Sequence, residues 1–206
     1  MALYHDATVT PTKKDLLAEW VPTQPWCPEP DAPVELIGAY RFDDPEGAVG
    51  METAIVKNAD TFLHVPMTYR AEPTEGATLI TEMHHTALGD RWVYDGLTDG
   101  RLVMMLAAVS LTGQGEALGM VSYDGVWHIA PTNVRIRGGG WGLERVPIDG
   151  FQSDAVDGTE VAFRNDRFEM TVHRQPTVGA QPAIGLTGSW SGQDDPLVLT
   201  EVREIS

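Results

Sequence analysis

The sequence predicts an α+β protein in which a short helix packs on an antiparallel sheet, followed by a second, buried helix and a β-rich antiparallel half. Three observations predict this fold. A capped amphipathic helix comes first, a series of β-like segments separated by turns follows it, and the chain is β-like again after an apolar helix. Hydrophobic residues make up 42% of the 206 residues, which is enough to build a substantial core.

The first helix is predicted from its capping residues and its apolar face. Thr12 and Asp15 have the spacing of a capping box, with Asp in place of the usual Glu, and Pro22 ends the helix. Before the helix, Leu3–Val9 predicts a short strand. The apolar face of the helix consists of Leu16, Leu17 and Trp20.

Four β-like segments separated by turn residues follow this helix. They are Val34–Phe42, Val49–Val56, Phe62–Arg70 and Ala77–His84. Pro66 lies in the third segment, and because proline cannot donate a ladder hydrogen bond it predicts an edge strand or a bulge there. Together the four segments predict an antiparallel meander packed on the first helix.

The second helix, Arg101–Val109, is apolar on every side, so we expect it to be buried on most of its surface. Thr98 or Asp99 can begin it. Beyond it, Asp124-Gly125 predicts a two-residue hairpin turn, and Gly138–Gly142 is predicted to be an exposed loop. The β-like segments of this half are Leu118–Tyr123, Val126–Ala130, Asn133–Arg137, Val161–Asn165, Arg167–Val172, Ile184–Trp190 and Leu197–Val202.

The pattern changes near residue 110, which divides the chain into regions 1–110 and 111–206. We expect these regions to pack together, as subdomains or as one continuous domain. The formal charge of −16 repels phosphate backbones and anionic lipids, so neither a nucleic acid nor a membrane is an expected partner. The single cysteine, Cys27, and the absence of a secretory signal pattern at the N-terminus predict a cytoplasmic protein.

Chemically active side chains are concentrated in Glu82–Gly96. In a strand Glu82 and His84 share a face, and they could supply two metal ligands or a base with its orienting carboxylate. His64, on a neighbouring strand, is the third candidate ligand. The simpler interpretation, which we prefer, is a polar sheet face without a metal.

The segment Arg91–Asp95 predicts a binding surface. If it is extended, Trp92 and Tyr94 lie on one face and Arg91 and Asp95 on the other. Aromatic rings beside charged groups suit a sugar, whereas the alternative is a structural corner in which the rings are core and Asp95 caps the next turn. The candidate binding residues are therefore Glu82, His84, Arg91, Trp92, Tyr94 and Asp95.

Signals for nucleophilic or cofactor chemistry are weak. No serine lies in a Gly-x-Ser-x-Gly phrase, Gly113-x-Gly115 lacks a third glycine, and Gly138–Gly142 lacks the Lys and Ser/Thr of a phosphate loop. We therefore assign no catalytic residue and predict no cofactor.

Four phrases resemble proteins related to the N-terminal cap of maltokinase, including stand-alone proteins that lack the kinase lobes. They are Thr10–Lys13 (TPTK) with Leu16–Trp26 (LLAEWVPTQPW), Val65–Arg70 (VPMTYR), His85–Asp95 (HTALGDRWVYD) and Leu186–Trp190 (LTGSW). Maltokinase phosphorylates maltose with ATP and feeds α-glucan synthesis. The resemblance implies a cystatin-like cap, with a helix laid against an antiparallel sheet, but it carries over no catalytic residue. The chain has no His-x-Asp-x-x-x-x-Asn or Asp-Phe-Gly phrase of a kinase.

Three functions follow as hypotheses. The first is a non-catalytic binding or regulatory module, linked to maltose, trehalose or α-glucan metabolism through a protein partner. The second is a β-rich protein that binds a small carbohydrate-like ligand, with its pocket between the β-rich half and Arg91–Asp95. The third, which we favour least, is an enzyme that uses Glu82, His84, Arg91 and Asp95.

Overall fold

The fold is mostly antiparallel sheet with two α-helices, within the residues that the computed structural model describes, which are 2–3 and 8–205. The helices are α1 (Lys13–Trp20) and α2 (Gly100–Thr112). The strands are β1 (Ala2–Leu3), β2 (Val9–Thr10), β3 (Val34–Phe42), β4 (Gly50–Asn58), β5 (Thr61–Arg70), β6 (Leu79–His85), β7 (Gly89–Asp95), β8 (Gly119–Tyr123), β9 (Val126–Ile129), β10 (Val134–Gly138), β11 (Glu160–Arg164), β12 (Phe168–His173), β13 (Gly185–Trp190) and β14 (Gln193–Glu204).

These strands form three sheets. The first has the order β2-β6-β7-β5-β4-β3, is antiparallel throughout, and curves into a half-barrel. The second has the order β10-β13-β14-β12-β11 and is also antiparallel. The third is small, with β1 parallel to β8 and β9 as its outer strand.

Helix α1 covers one face of the half-barrel, which we call the inner face and define by Ala54 and Val56 of β4. The predicted capping box is confirmed, because the backbone N–H of Asp15 donates to the Thr12 hydroxyl at 3.2 Å and that hydroxyl donates to the Asp15 carboxylate at 2.6 Å. The predicted apolar face is confirmed for the buried residues Leu16 and Leu17. They belong to one core cluster together with Ala54, Val56, Leu63, Val65, Met67, Met83 and Val93.

Helix α2 lies between the opposite, outer face of the half-barrel and the five-stranded sheet. Asp99 caps its start by accepting from the N–H of Arg101 at 3.0 Å, which confirms one of the two predicted caps. Most of its apolar side chains are buried, as predicted, in a core cluster shared with both sheets, whereas Met104, Met105 and Ala108 are half-buried. That cluster includes Met51 and Ile55 of the half-barrel and Val172 and Leu186 of the five-stranded sheet. The division of the chain near residue 110 stays a prediction.

The segment Gly138–Gly142, which begins with the last residue of β10, is only partly the exposed loop that the sequence predicted: Trp141 and Gly142 are exposed, but the start of the segment is not. Gly138 and Gly140 are buried against the end of α2. A Cβ atom at Gly138 would lie 2.2 Å from the carbonyl oxygen of Val109, and one at Gly140 would lie 2.4 Å from that of Leu111. Glycine is required here because the two backbones approach too closely for any side chain.

The half-barrel also differs from the predicted meander. Strand β7 was not predicted, and it lies between β5 and β6, so those two strands are not neighbours. Strand β5 is not an edge strand as a whole, since β4 pairs with one side of it and β7 pairs with the other side from Met67 to Arg70. Pairing with β7 does not reach Pro66, however, so the strand has an open side at this residue, as predicted, and the missing N–H of proline costs no hydrogen bond to β7.

Two further local predictions concern the turn between β8 and β9 and the N-terminal strand. The hairpin at Asp124-Gly125 is confirmed, with left-handed φ angles of 49° and 78° joining β8 to β9. Residues 4–7 of the predicted strand Leu3–Val9 lie outside the described residues. No helix in the described part of the chain is long and apolar enough to cross a bilayer.

Candidate functional site

The β6–β7 hairpin places Glu82 and His84, the first two predicted binding residues, on the outer face of the half-barrel. Glu82 lies opposite Trp92 in the register, and His84 lies opposite Asp90. The Nδ1 atom of His84 is 2.7 Å from the Asp90 carboxylate, and both side chains are exposed. Glu82 and His84 therefore share a face, as predicted, at a solvated surface.

Trp92 and Tyr94 also share this face, and Arg91 and Asp95 point to the other, as predicted for an extended segment. Tyr94 is buried, and its hydroxyl accepts a hydrogen bond from the backbone N–H of Thr74 at 2.8 Å. Trp92 is half-buried. Tyr94 thus holds the loop before β6, and this contact gives it a structural role.

His64 is not placed to complete a metal site with Glu82 and His84. It lies on β5, which β7 separates from β6, and it is completely buried. Its Nδ1 atom donates to the carbonyl oxygen of His173 at 3.1 Å, and its Nε2 atom accepts from the Tyr40 hydroxyl at 2.7 Å. Burial lowers the pKa of His64 to about 3, so the imidazole is neutral. Within residues 2–3 and 8–205, no group of three or more potential ligands could hold a metal ion.

Asp95 lies at a contact that the sequence did not predict. Its carboxylate accepts from the guanidinium of Arg174 at 2.5 Å, and Arg174 has no exposed surface. The Arg174 guanidinium carbon also lies 4.8 Å from the centre of the Trp26 ring. Asp95 additionally caps the turn Gly96–Thr98 through the N–H of Leu97 at 3.2 Å, as the alternative interpretation predicted.

The Asp95–Arg174 pair is strongly desolvated. Burial raises the pKa of the Asp95 carboxyl, although the charge of Arg174 opposes this shift. Burial likewise lowers the pKa of Arg174, against the pull of Asp95. The Nε and Nη1 atoms of Arg174 are buried without a hydrogen-bond partner among the described residues, and the guanidinium lies over the face of the Trp26 ring.

Backbone contacts around Arg174 join the two regions of the chain. The N–H of His64 donates to the carbonyl oxygen of Arg174 at 2.9 Å, on the side of β5 that β7 leaves unpaired. The side chain of Gln175 donates to the carbonyl oxygen of Trp26 at 2.8 Å. Residues at the end of β12 therefore complete the hydrogen bonding of the half-barrel.

A second buried carboxylate, Asp99, lies at the start of α2. Arg70 donates to both of its oxygens at 2.8 Å, and the hydroxyl of Thr68 donates to one of them at 2.8 Å. Burial raises the pKa of Asp99, but hydrogen bonds from Arg70, Thr68 and the Arg101 N–H outweigh burial and hold it below its usual value. This site orients α2 on β5.

A cleft of about 580 Å³ with mixed polar and apolar walls lies on the inner face of the half-barrel, and we call it the half-barrel cleft. It opens beside the N-terminus of α1, where this short helix leaves the end of the sheet uncovered. Its volume is within the range of small-molecule sites. The cleft is lined by Val9, Lys13, Arg41, Gly47, Ala48, Gly50, Glu52, Tyr69, Ala71, Met83, His85, Leu88 and Arg91.

The wall of the cleft contains a short polar network around Glu52. Lys13 Nζ lies 2.8 Å from one oxygen of Glu52, and the Tyr69 hydroxyl donates to the other at 3.1 Å. Burial and the neighbouring Glu52 charge raise the pKa of Tyr69 well above its usual value, while Arg41 opposes the shift. Tyr69 is therefore a neutral donor at neutral pH.

Arg91 is the one predicted binding residue that lines this cleft. Within the described residues it donates to the backbone carbonyl oxygen of Asp90 at 2.8 Å and forms no ion pair with a carboxylate. Glu82, His84, Trp92 and Tyr94 lie on the opposite face, and Asp95 lies against Arg174. The predicted residues thus occupy three separate environments.

Comparison with known protein families gives a match over part of the chain. Residues 20–99 match the family model of the maltokinase N-terminal cap domain, which confirms the predicted resemblance for this stretch. The stretch runs from the last residue of α1 through β3–β7 to the cap of α2. No curated protein and no solved structure matches the chain at a significant level.

Proposed function

We propose that this protein is a non-catalytic binding or regulatory module that serves an enzyme of maltose, trehalose or α-glucan metabolism in the cytoplasm. The observation that carries this proposal is the match of residues 20–99 to the maltokinase N-terminal cap domain. The sequence lacks the catalytic and metal-binding phrases of a kinase, so the match supports a cap-like role without phosphoryl transfer.

The proposal includes a cystatin-like arrangement of the cap-like region. The observation that supports it is the core cluster on the inner face of the half-barrel, which Leu16 and Leu17 of α1 share with residues of β4, β5 and β6. In this arrangement the inner face is held by α1 and the outer face by α2 and the five-stranded sheet. Partner binding then uses a surface that neither helix covers.

Strand β9 offers such a surface. It is the outer strand of its small sheet, so one row of its backbone groups has no strand beside it in the part of the chain that the structure describes. Three of its side chains, Val126, Trp127 and Ile129, are large, apolar and exposed to 58%, 54% and 76%. Trp127 and Ile129 share one face of this strand. Neighbouring exposed apolar side chains on an outer strand are typical of a protein-binding surface.

The experiment compares the tagged wild-type protein with a Trp127→Ser, Ile129→Ser double variant as bait in native lysate. We expect the wild type to retain an enzyme that acts on maltose, trehalose or an α-glucan, and the double variant to lose it. Trp141→Ser is the matched control, because Trp141 is 86% exposed outside this strand. Recovery of no such enzyme, with unchanged glucan metabolites in a deletion strain, would contradict the proposal.

The second candidate function is binding of a small carbohydrate-like ligand, and the half-barrel cleft is the observation that favours it. The cleft lies on the inner face of the half-barrel, not between the β-rich half and Arg91–Asp95 where the sequence predicted a pocket. Its walls combine hydrogen-bonding groups such as Glu52 and Tyr69 with apolar side chains such as Met83. Titration with maltose and trehalose, followed by thermal shift, tests this candidate.

A further inference from the structure

Strand β9 is exposed on both faces as well as along one edge. It is the outer strand of the sheet β1-β8-β9, and within residues 2–3 and 8–205 no strand lies on its far side. All of its side chains are exposed, and Val126, Trp127 and Ile129 among them are large and apolar. An apolar strand with an open edge is a template for pairing with a further strand.

The backbone groups along this open edge belong to Trp127 and Ile129. The N–H of Ala130 donates to the carbonyl oxygen of Gly119 at 3.0 Å, so Ala130 directs its backbone groups toward β8. The backbone groups of successive residues point to alternate sides of a strand. Trp127 and Ile129 lie an odd number of positions before Ala130, so their N–H and C=O groups point away from β8.

The pattern of β9 is complementary to itself. When two copies of one strand pair antiparallel around a two-fold axis, residues that lie opposite each other belong to the same face of the sheet. Trp127 and Ile129 share a face, so Trp127 of one copy can lie opposite Ile129 of the other, and the reverse. Because these same residues carry the outward N–H and C=O groups, each such pair exchanges two backbone hydrogen bonds.

The distribution of charge also favours contact between two copies at this strand. With a formal charge of −16, two copies of the chain repel each other wherever acidic surfaces meet. Between Glu116 and Arg135, however, the one formally charged residue is Asp124, in the turn before β9. In an antiparallel pair the two turns lie at opposite ends of the strands, so the two Asp124 carboxylates stay apart.

From these observations we propose that the open edge of β9 binds β9 of a second copy of this chain, so that the two three-stranded sheets join into one. The enzyme proposed above contacts the face of β9, whereas this pairing uses its edge, so the two contacts are compatible. Trp127 and Ile129 of both copies then lie side by side on one face and enlarge its apolar surface. The inference goes beyond the proposed function and is tested on the purified protein alone.

The test is sedimentation equilibrium of the purified full chain at protein concentrations of about 1–500 µM. A pairing of two short strands buries less surface than a standard interface, so we expect a reversible dimer with a Kd of about 10–100 µM. The dimer should be several-fold tighter in about 0.5 M than in about 0.05 M NaCl, because salt screens the repulsion between two acidic chains. A contact made by ion pairs would show the opposite dependence on salt.

Substitutions in β9 test the edge directly. Trp127→Lys should raise the Kd by about ten-fold or more, because lysine on an open edge opposes pairing. Ile129→Pro removes an N–H that the ladder with β8 does not use and should weaken the dimer by about ten-fold or more, while Ile129→Ala keeps that N–H and should lose less. Leu118→Lys is the matched control, because Leu118 is 58% exposed but precedes the inner strand β8. Unchanged melting temperatures show that each variant is folded.

Amide hydrogen exchange separates pairing at this edge from any other dimer. The N–H groups of Trp127 and Ile129 should exchange slowly at high protein concentration and rapidly after dilution, because pairing gives them acceptors. The inference is overturned by a chain that is monomeric at about 500 µM, by a dimer that Trp127→Lys and Ile129→Pro leave intact, or by a dimer without protection at these two amides. A monomer that still retains the enzyme through Trp127 and Ile129 would keep the proposed function and contradict the pairing.

Discussion

The buried pair of Asp95 and Arg174 joins the end of β7 in the half-barrel to the residue that directly follows β12, and its removal is a sharp test of this structure. In Asp95→Asn, the amide keeps an oxygen that can cap the turn at Leu97 but no longer neutralises Arg174. Arginine does not release its proton in a protein, so the variant leaves a full charge in a site with no exposed surface.

The expected loss of stability in Asp95→Asn follows from the burial of this ion pair. Removal of one partner of a buried ion pair destabilises a protein by about 3–5 kcal/mol. For a chain of this length, each kcal/mol shifts the melting temperature by about 2–4 °C, so we expect a decrease of roughly 6–20 °C. The contact with the Trp26 ring stays in place, but it cannot replace the lost carboxylate.

The companion variant Arg174→Met should behave differently with pH. The pKa of Asp95 is already raised by burial, and without Arg174 it rises further. A carboxyl whose pKa is higher in the folded than in the unfolded state stabilises the fold at low pH, and the stability is lost as the pH rises through the folded pKa. Relative to the wild type, Arg174→Met should therefore lose more stability at pH 8 than at pH 5.

The assay is urea unfolding of the wild type, the two single variants and the double variant, followed by tryptophan fluorescence. The double variant should lose clearly less free energy of unfolding than the sum of the single losses, because neither charge is left alone. Asp90→Asn, at an exposed carboxylate, is the control and should change stability by no more than about 0.5 kcal/mol. A loss below about 1 kcal/mol for Asp95→Asn, or additive losses, would refute the reasoning.

Three further predictions concern other buried contacts. Burial lowers the pKa of His64 from 6.5 to about 3, so the unfolded chain takes up a proton at this histidine that the folded protein does not. Acidification from pH 6.5 to pH 3 should therefore remove about 1.4 kcal/mol of stability per pH unit. His64→Gln should reduce this slope, as measured by urea unfolding at a series of pH values. Gly138→Ala places a Cβ atom 2.2 Å from the Val109 carbonyl oxygen and should lower the free energy of unfolding by about 1–3 kcal/mol or more. Asp99→Ala removes the cap of α2 and the partner of Arg70, and thermal melting should show a loss of about 2–4 kcal/mol.

Matched controls separate these effects from general damage. His84→Gln changes an exposed histidine and should leave the pH slope of stability as it is in the wild type. Gly100→Ala has open space around the new Cβ atom and should keep or slightly raise stability, because alanine favours the helix that begins there. An unaltered pH slope in His64→Gln, or equal stability of the two glycine variants, would contradict the packing described for these sites.

Much of the local structure could be predicted from short stretches of sequence. The cap of α1 depends on Thr12 and Asp15, and the β8–β9 hairpin on Asp124 and Gly125, which adopt the left-handed φ angles that their types allow. The faces of Glu82–His84 and of Arg91–Asp95 were also predicted correctly, since side chains alternate along any strand. Such signals act between residues a few positions apart, and they hold wherever the segment lies in the fold.

The sites themselves depended on strand order, which no short stretch contains. The position of β7 between β5 and β6 separated His64 from Glu82 and placed Arg91 on the inner face, in a cleft with Lys13 and Arg41. Arg174 showed no signal in the sequence, because its partner Asp95 is 79 residues away along the chain. The sequence alone therefore determined the helices, the turns and the alternation of faces, because these depend on neighbouring residues. Tertiary structure alone decided which faces meet, since long-range strand pairing and burial bring distant charges into one environment.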